Sequence, residues 1–372
     1  MSYLLAFAGF AALIILHEAG HFAAAKAVGM RVERFALFFP PLVAKFRRKG
    51  SETEYAIGAI PLGGYVKITG MNPAEDIPPD VLPRAYFRQP VWKRIVVISA
   101  GPLVNIVLAF LILWVLLLSN GTVKNALRVF EVQQNSPAAT ALKPGDRILA
   151  IDGVRGYSPG LGEDATDSRA EALRRQIDSH RCAGRLRDAC VGATPARITV
   201  LRDGARQTLR VRPRYDAAAE RMLLGFGFGE RVDVGAGEAA QLGVTVMWNV
   251  TTTTVDNIVR LFYDKEARDQ VSGVVGSYEA TRQSFEFDTV QAFYVLALIS
   301  LSLAVINLFP FLPLDGGHIF WALAEKVRGR PIPFSVMEKM GVFGFMLVIF
   351  LFYIGLTNDI GRITSGEGFG IR

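Results

Sequence analysis

The stretch LIILHEAGHF, residues 13–22, places two histidines and a glutamate at the end of an apolar run. Tyr3 to Leu16 carries no ionisable group, and only His17, Glu18 and His21 come before Lys26. Ionisable side chains are expensive in hydrocarbon, so their presence inside such a run reads as function. Residues i and i+4 share a helix face, so His17 and His21 can reach one ion, with Glu18 beside it to handle a proton. The bland alternative is a pair of histidines hydrogen-bonded inside a helical bundle.

Working outward, the chain of 372 residues is 51% hydrophobic and 20% charged, with a mean hydropathy of +0.30. Soluble globular chains are more polar. Three further windows, Ile95 to Leu118, Ala292 to Leu314 and Met340 to Asn358, contain no charge. A hydrocarbon core of about 30 Å takes roughly 20 apolar residues of helix. The expectation is a polytopic α-helical membrane protein with four transmembrane helices. The first segment has no basic residue ahead of it and ends in HEAGH, not in a small-residue cleavage site, so it is read as retained and not as a signal peptide.

Residues 28–94 hold eleven Lys and Arg against six Asp and Glu, and residues 316–339 hold four against two. The tail after Asn358 has only Arg362 and Arg372. Positive charge marks cytoplasmic loops, so both termini are expected outside. The net charge of +7 belongs to these loops, and no basic run interleaved with aromatics argues for nucleic acid.

That topology leaves residues 119–290 outside. The runs ALRVFEV, DRILAID, ARITVLRDG and TLRVRPR, punctuated by Pro144-Gly145-Asp146 and Asp203-Gly204, read as a mostly-β domain over 119–233. Tyr157 to Thr194 reads as an insertion containing the helix-like DSRAEALRRQIDSH. It holds both cysteines, Cys182 and Cys190, either paired or two free thiols, and His180, read as solvated. Residues 238–264 read as lying on the outer membrane surface, within a linker over 234–290. The remaining segments are 1–118, with the first two helices, and 291–372, with the last two.

A catalytic zinc site wants a third protein ligand and an open position. INLFPFLPLDGGH, residues 306–318, offers Asp315 where Pro310, Pro313, Gly316 and Gly317 break a span. The first and third spans both run inward, so both motifs fall near the cytoplasmic ends of their helices. His318 is left out, because a fourth ligand would close the site. Asn105, within the second span, reads as interhelical glue. EYAIGAIPLGGYVKIT, residues 54–69, reads as a cytoplasm-side β-hairpin turning at Gly63-Gly64, which either clamps an extended substrate or only covers the metal.

These motifs together resemble the site-2 proteases, intramembrane zinc metalloproteases. The resemblance rests on His17-Glu18-Ala19-Gly20-His21 and on Asn307 to Gly316, with IPLGGYVKITGM (60–71), QPVWKRIVVISAGPLVN (89–105) and SGVVG (272–276). VFEVQQNSPAATALKPGDRILAIDGV resembles one PDZ domain, where some relatives carry two. The resemblance implies one Zn2+ per chain held by His17, His21 and Asp315, with Glu18 as the catalytic proton carrier. Asn307 either holds substrate or satisfies backbone freed by Pro310, and Gly63, Gly64 and Tyr65 lie in the substrate-binding region. It further implies a bacterial inner-membrane enzyme with its active site toward the cytoplasm. Its substrates would be stubs of single-pass membrane proteins, such as anti-sigma factors or signal-peptide remnants, left by an upstream site-1-type protease. Two rivals are a catalytically silent PDZ-bearing receptor or chaperone, and a metal transporter, which lacks support because no internal repeat is seen.

Overall fold

The computed structural model describes residues 1–72, 75–217 and 219–365. Helix α1 (Ser2–Ala27) leads into strands β1 (Val32–Arg47) and β2 (Glu54–Ile68), then helix α2 (Val91–Asn120). Residues 117–235 form a second unit. It comprises β3 (Thr122–Val132), β4 (Arg147–Ile151), β5 (Val154–Arg155), α3 (Glu163–Asp178), β6 (Ala196–Arg202), β7 (Ala205–Val211), β8 (Arg214–Asp216), β9 (Arg221–Leu223) and β10 (Phe226–Val232). The first unit resumes with α4 (Ala236–Arg260), α5 (Lys265–Gln270), α6 (Val274–Phe287), α7 (Thr289–Asn307), α8 (Asp315–Arg328) and α9 (Phe334–Ser365). Among the described residues, four helices are long and apolar enough to cross a membrane: α1, α2, α7 and, over Ser335–Thr364, α9.

The uncharged run 292–314 is not one helix. α7 stops at Asn307 and α8 begins at Asp315, because Pro310 and Pro313 remove backbone donors and bar the residues before them from the helical region. The stretch 316–339, expected as a loop, therefore opens with a helix. The 308–314 link folds tightly back on α8: a Cβ on Gly316 would lie 2.1 Å from the Leu308 carbonyl oxygen. α9 outruns the charge-free window 340–358 at both ends, and its buried Asp359 accepts the Gly273 and Gly276 N–H groups at 3.1 and 2.7 Å. Residues 366–372, including Arg372 of the expected outer tail, lie outside the described residues.

The hairpin over 54–69 also differs from expectation. Gly63 and Gly64 make no tight turn; both lie within β2. β1 and β2 are long and bent, so Arg34 to Leu37 sit between two stretches of β2, pairing with Gly64 to Lys67 and with Glu54 to Ile57. Leu42 to Arg47 pair with the Glu54–Gly58 stretch, so Gly64–Lys67 is an outermost stretch of the sheet. The sheet base packs on α1 and α2 through Ala25, Met30, Val32, Ile68 and Val97. α4 carries Gly243, Met247 and Val250 at helical spacing, and the last two pack near Ala109, Leu301 and Val305. The stretch 238–264 is thus seated by one face on α2 and α7, with Val244 and Trp248 left exposed.

In the second unit, one sheet runs in the order β10-β3-β4-β6-β7, with β5 on β4, and β8 pairs with β9. Its core gathers Val129, Ile148, Ile151, Ile198 and Val200. Ile198 and Val200 alternate along β6, and a register irregularity in β4 lets Ile148 and Ile151, three residues apart, both be buried. The segment 157–194, read as an insertion, supplies that core as well: Ala170, Leu173 and Ile177 of α3 are buried in it, on one face at i, i+3 and i+7. Cys182 and Cys190 are disulfide-bonded. His180 is not solvated. Its ring sits 3.0 Å from Asp152 Oδ2 and 3.0 Å from Thr194 Oγ1, with the side chain 8% exposed.

Candidate metal centre

α1 delivers His17 and His21 from successive turns, both buried, and the first residue of α8 brings Asp315 to them. The three ligand atoms form a nearly equilateral triangle. His17 Nε2 and His21 Nε2 are 3.3 Å apart, and each is 3.3 Å from Asp315 Oδ2. A tetrahedral zinc with ligand bonds of about 2.0–2.2 Å holds neighbouring donors roughly 3.3–3.5 Å apart. Asp315 Oδ2 is buried and has no hydrogen-bond partner among the described residues, an arrangement that costs free energy unless a cation binds there. Two imidazoles and a carboxylate are a zinc-type donor set that leaves a fourth position open. The site fits a zinc ion on geometry, burial and chemistry.

The far side of each ring is held by α2, which supplies no ligand. His21 Nδ1 donates to the Val97 carbonyl at 2.9 Å. Asn105 Nδ2 lies 3.2 Å from His17 Nδ1. For Nε2 to present its lone pair, Nδ1 must carry the proton, so the Asn105 amide offers its oxygen after a half-turn about its terminal bond. That oxygen is otherwise buried without a partner. Asn105, expected as glue between helices, does bond α2 to α1, and at that position it would also set the tautomer and plane of a candidate ligand. Ser300 on α7 donates to the Asn105 carbonyl at 3.0 Å and fixes that turn in place. Gly101, one turn before Asn105 on the same face, leaves room for the His21 ring: a Cβ there would lie 2.2 Å from Nε2.

Glu18 is half-buried, and its carboxylate makes no hydrogen bond or ion pair among the described residues. Its stem lies against the outer stretch of the sheet, where a Cβ on Gly64 would approach Glu18 Cγ to 2.8 Å and the Ala36 carbonyl oxygen to 3.0 Å. Glycine is required at 64 for this close approach and not for a turn. Gly63 and Tyr65 pack round Phe39: a Cβ on Gly63 would meet its ring at 2.7 Å, and Tyr65 stacks on it with centroids 6.3 Å apart. Asn307 is the last residue of α7, and its amide carries no hydrogen bond among the described residues. It does not bond the backbone freed by Pro310. His318 lies in the first turn of α8, outside the three-residue cluster found among the described residues.

α8 is fixed by a further contact that sequence reading missed. Arg94 on α2 donates to both oxygens of Glu325 on α8, at 2.6 and 2.8 Å, with the Arg94 side chain 10% exposed. The signal available in the sequence was an arginine four residues into a helix that soon becomes charge-free; its partner lies 231 residues away.

A triangle of donors that could hold a metal, set among apolar helices beside a glutamate that bonds no described residue, is a site of the membrane-embedded metalloprotease type. The chain belongs to peptidase family M50, whose model matches residues 5–351. A relative in Nostoc sp., assigned by name to the zinc metalloproteases, is 32% identical over 375 residues, covering 98% of this chain and 97% of the relative. Another in Synechocystis sp. is 32% identical, covering 96% and 94%. A relative in Arabidopsis thaliana, named as a chloroplastic membrane metalloprotease, is 29% identical, covering 94% of this chain and 77% of its own length. The protein is a membrane zinc metalloprotease of the site-2 type, and zinc is its cofactor.

Proposed function

We propose that the chain is an intramembrane endopeptidase that cuts the membrane segments of single-pass proteins after an upstream site-1-type protease has removed their external part. The observation that supports this best is the 3.3 Å triangle of His17, His21 and Asp315 beside a glutamate whose carboxylate bonds no described residue. When bound, one zinc per chain supplies Lewis acidity to a water molecule and to the scissile carbonyl. Glu18 takes the proton of that water and returns it to the leaving amine. The Asn307 amide, unbonded among the described residues, holds the substrate carbonyl or its developing charge.

A helical substrate shields its own peptide bonds, so it must unwind before cleavage. The outer stretch of β2 around Gly64 is suited to receive it as an added strand, because backbone pairing tolerates varied side chains. Gly63 and Tyr65 then shape that edge through Phe39. Gly64 sets the added strand next to Glu18, so recognition and proton transfer share one wall.

The basic balance of residues 28–94 supports a cytoplasmic placement of the HExxH end. Residues 119–233 would then stand outside a bacterial inner membrane as a PDZ-like domain, with 234–290 linking it to the last helices over 291–372. β10 is an outer strand of its sheet, the kind of edge that captures a chain terminus.

The test is cleavage of a purified single-pass stub by the full chain in vesicles. Glu18→Gln should lower the rate by at least about a hundred-fold while zinc, measured by elemental analysis, stays at the wild-type level. A wild-type protein that holds the stub without cutting it would instead favour a receptor.

A further inference from the structure

The second unit contains an open cavity of about 710 Å3 lined by Asp152, His180, Arg181, Thr194, Arg197 and Arg210 among others. Arg197 on β6 and Arg210 on β7 are direct cross-strand partners. Opposed residues in such a ladder stand with Cβ atoms about 5 Å apart on one face, where like charges destabilise the pair. Both are exposed, on the face opposite the buried Ala196, Ile198 and Val200. Arg181 brings a third guanidinium to the same cavity.

None of these three side chains has a hydrogen-bond, ion-pair or aromatic partner among the described residues. Some other arginines of this unit do have partners. Arg202 pairs with Asp146, Arg128 with Glu230, and Arg212 bonds the Gly192 and Ala193 carbonyls. Asp152 is the one carboxylate lining the cavity, and it is already engaged. Its Oδ1 accepts the Arg197 backbone N–H at 2.8 Å and its Oδ2 faces His180 Nε2 at 3.0 Å. His180 in turn holds Thr194, and the Ala193 N–H donates to the Arg181 carbonyl at 2.8 Å. The wall carrying the charges is therefore pinned before any ligand arrives.

Three arginines gathered on a fixed wall, two of them directly opposed and none neutralised, carry a cost that an incoming anion removes. Guanidinium forks match the oxygens of phosphate and bind them by paired hydrogen bonds. We propose that this cavity is an oxyanion site for a phosphate group, contributed either by an anionic lipid headgroup or by free phosphate. The unit follows directly on the membrane-spanning α2, a tether that raises the effective concentration of headgroups around it.

Equilibrium dialysis of radiolabelled inorganic phosphate against the full chain in neutral detergent tests the proposal, with chloride held at matched ionic strength. The expected result is one site per chain, weakened about ten-fold or more by Arg197→Gln or Arg210→Gln, as loss of one charged hydrogen bond implies. Arg206→Gln, the same charge change on β7 outside this cavity, should leave binding unchanged. Short-chain phosphatidylglycerol as competitor separates the sources. Displacement well below the phosphate midpoint identifies a headgroup site, and displacement only at equal concentration identifies free phosphate. Absence of saturable binding to wild type overturns the proposal. An Arg206→Gln loss equal to that of Arg197→Gln does the same, since it would show general surface attraction.

Discussion

At the scale of residues, the candidate site divides into proposed ligands whose residues the sequence marks directly and supports that it does not. His17 and His21 come from i, i+4 geometry, and Asp315 from a carboxylate placed where prolines break a span. Asn105 announced itself only as an uncharged polar group inside an apolar run, which must find a partner but does not name it. The partner lies on α1, 88 residues away, and no periodicity within one helix reveals that. Gly101 was equally mute, since a glycine at that position could mean a packing notch or nothing. Asn105→Ala should lower zinc affinity about 10–100-fold, the usual toll for losing a partner behind a ligand. Competition with a zinc-binding dye measures it, and Asn105→Asp, which keeps an acceptor for His17 Nδ1–H, should recover most of the loss.

At the scale of elements, four charge-free windows located four helices, but neither the end of the third at Asn307 nor the start of α8 at Asp315. Gly63-Gly64 misled for a physical reason. Glycine marks both tight turns and close approaches, and only the contact with Glu18 distinguishes them. α8 owes its position to Arg94 and Glu325, so breaking that pair should be felt at Asp315. Arg94→Met leaves a largely buried carboxylate alone, a change that costs about 3 kcal/mol. It should lower both thermal stability and zinc occupancy, and the double variant Arg94→Met/Glu325→Leu should regain most of the stability. In the second unit, Asp146 is 1% exposed and receives both Arg202 and the Lys143 N–H. Burial opposes its charge, but those donors outweigh burial and hold its carboxyl below the ordinary range. A depressed carboxyl stabilises fully above its unfolded value of about 3.9 and loses that contribution as pH falls through the folded value. Protection factors at β4 and β6, exchange rates corrected for the intrinsic pH dependence, should therefore fall below about pH 4 in wild type, and Asp146→Asn should be less protected at neutral pH with a flatter acid response.

At the scale of the whole molecule, the balance of charge between loops gives an expected orientation. The arginine cavity of the second unit was not legible in that way. Arg197 and Arg210 become neighbours only once the β6–β7 register is known, and Arg181 reaches them only after α3 has packed into the core. The same holds for α3 itself. Its polar composition suggested an inserted surface helix, while three apolar residues on one face sufficed to bury it.

α2 has a consequence of another kind. Its charge-free part, Ile95–Leu118, extends about 36 Å, somewhat beyond a hydrocarbon layer of about 30 Å, and such a helix meets the difference by tilting. Because Val97 and Asn105 hold the two imidazoles from behind, a change of tilt is a rotation of both rings. Lipid acyl length thus becomes an input to catalysis. In vesicles of graded thickness, cleavage should pass through an optimum and fall on either side, with zinc content tracing the same curve.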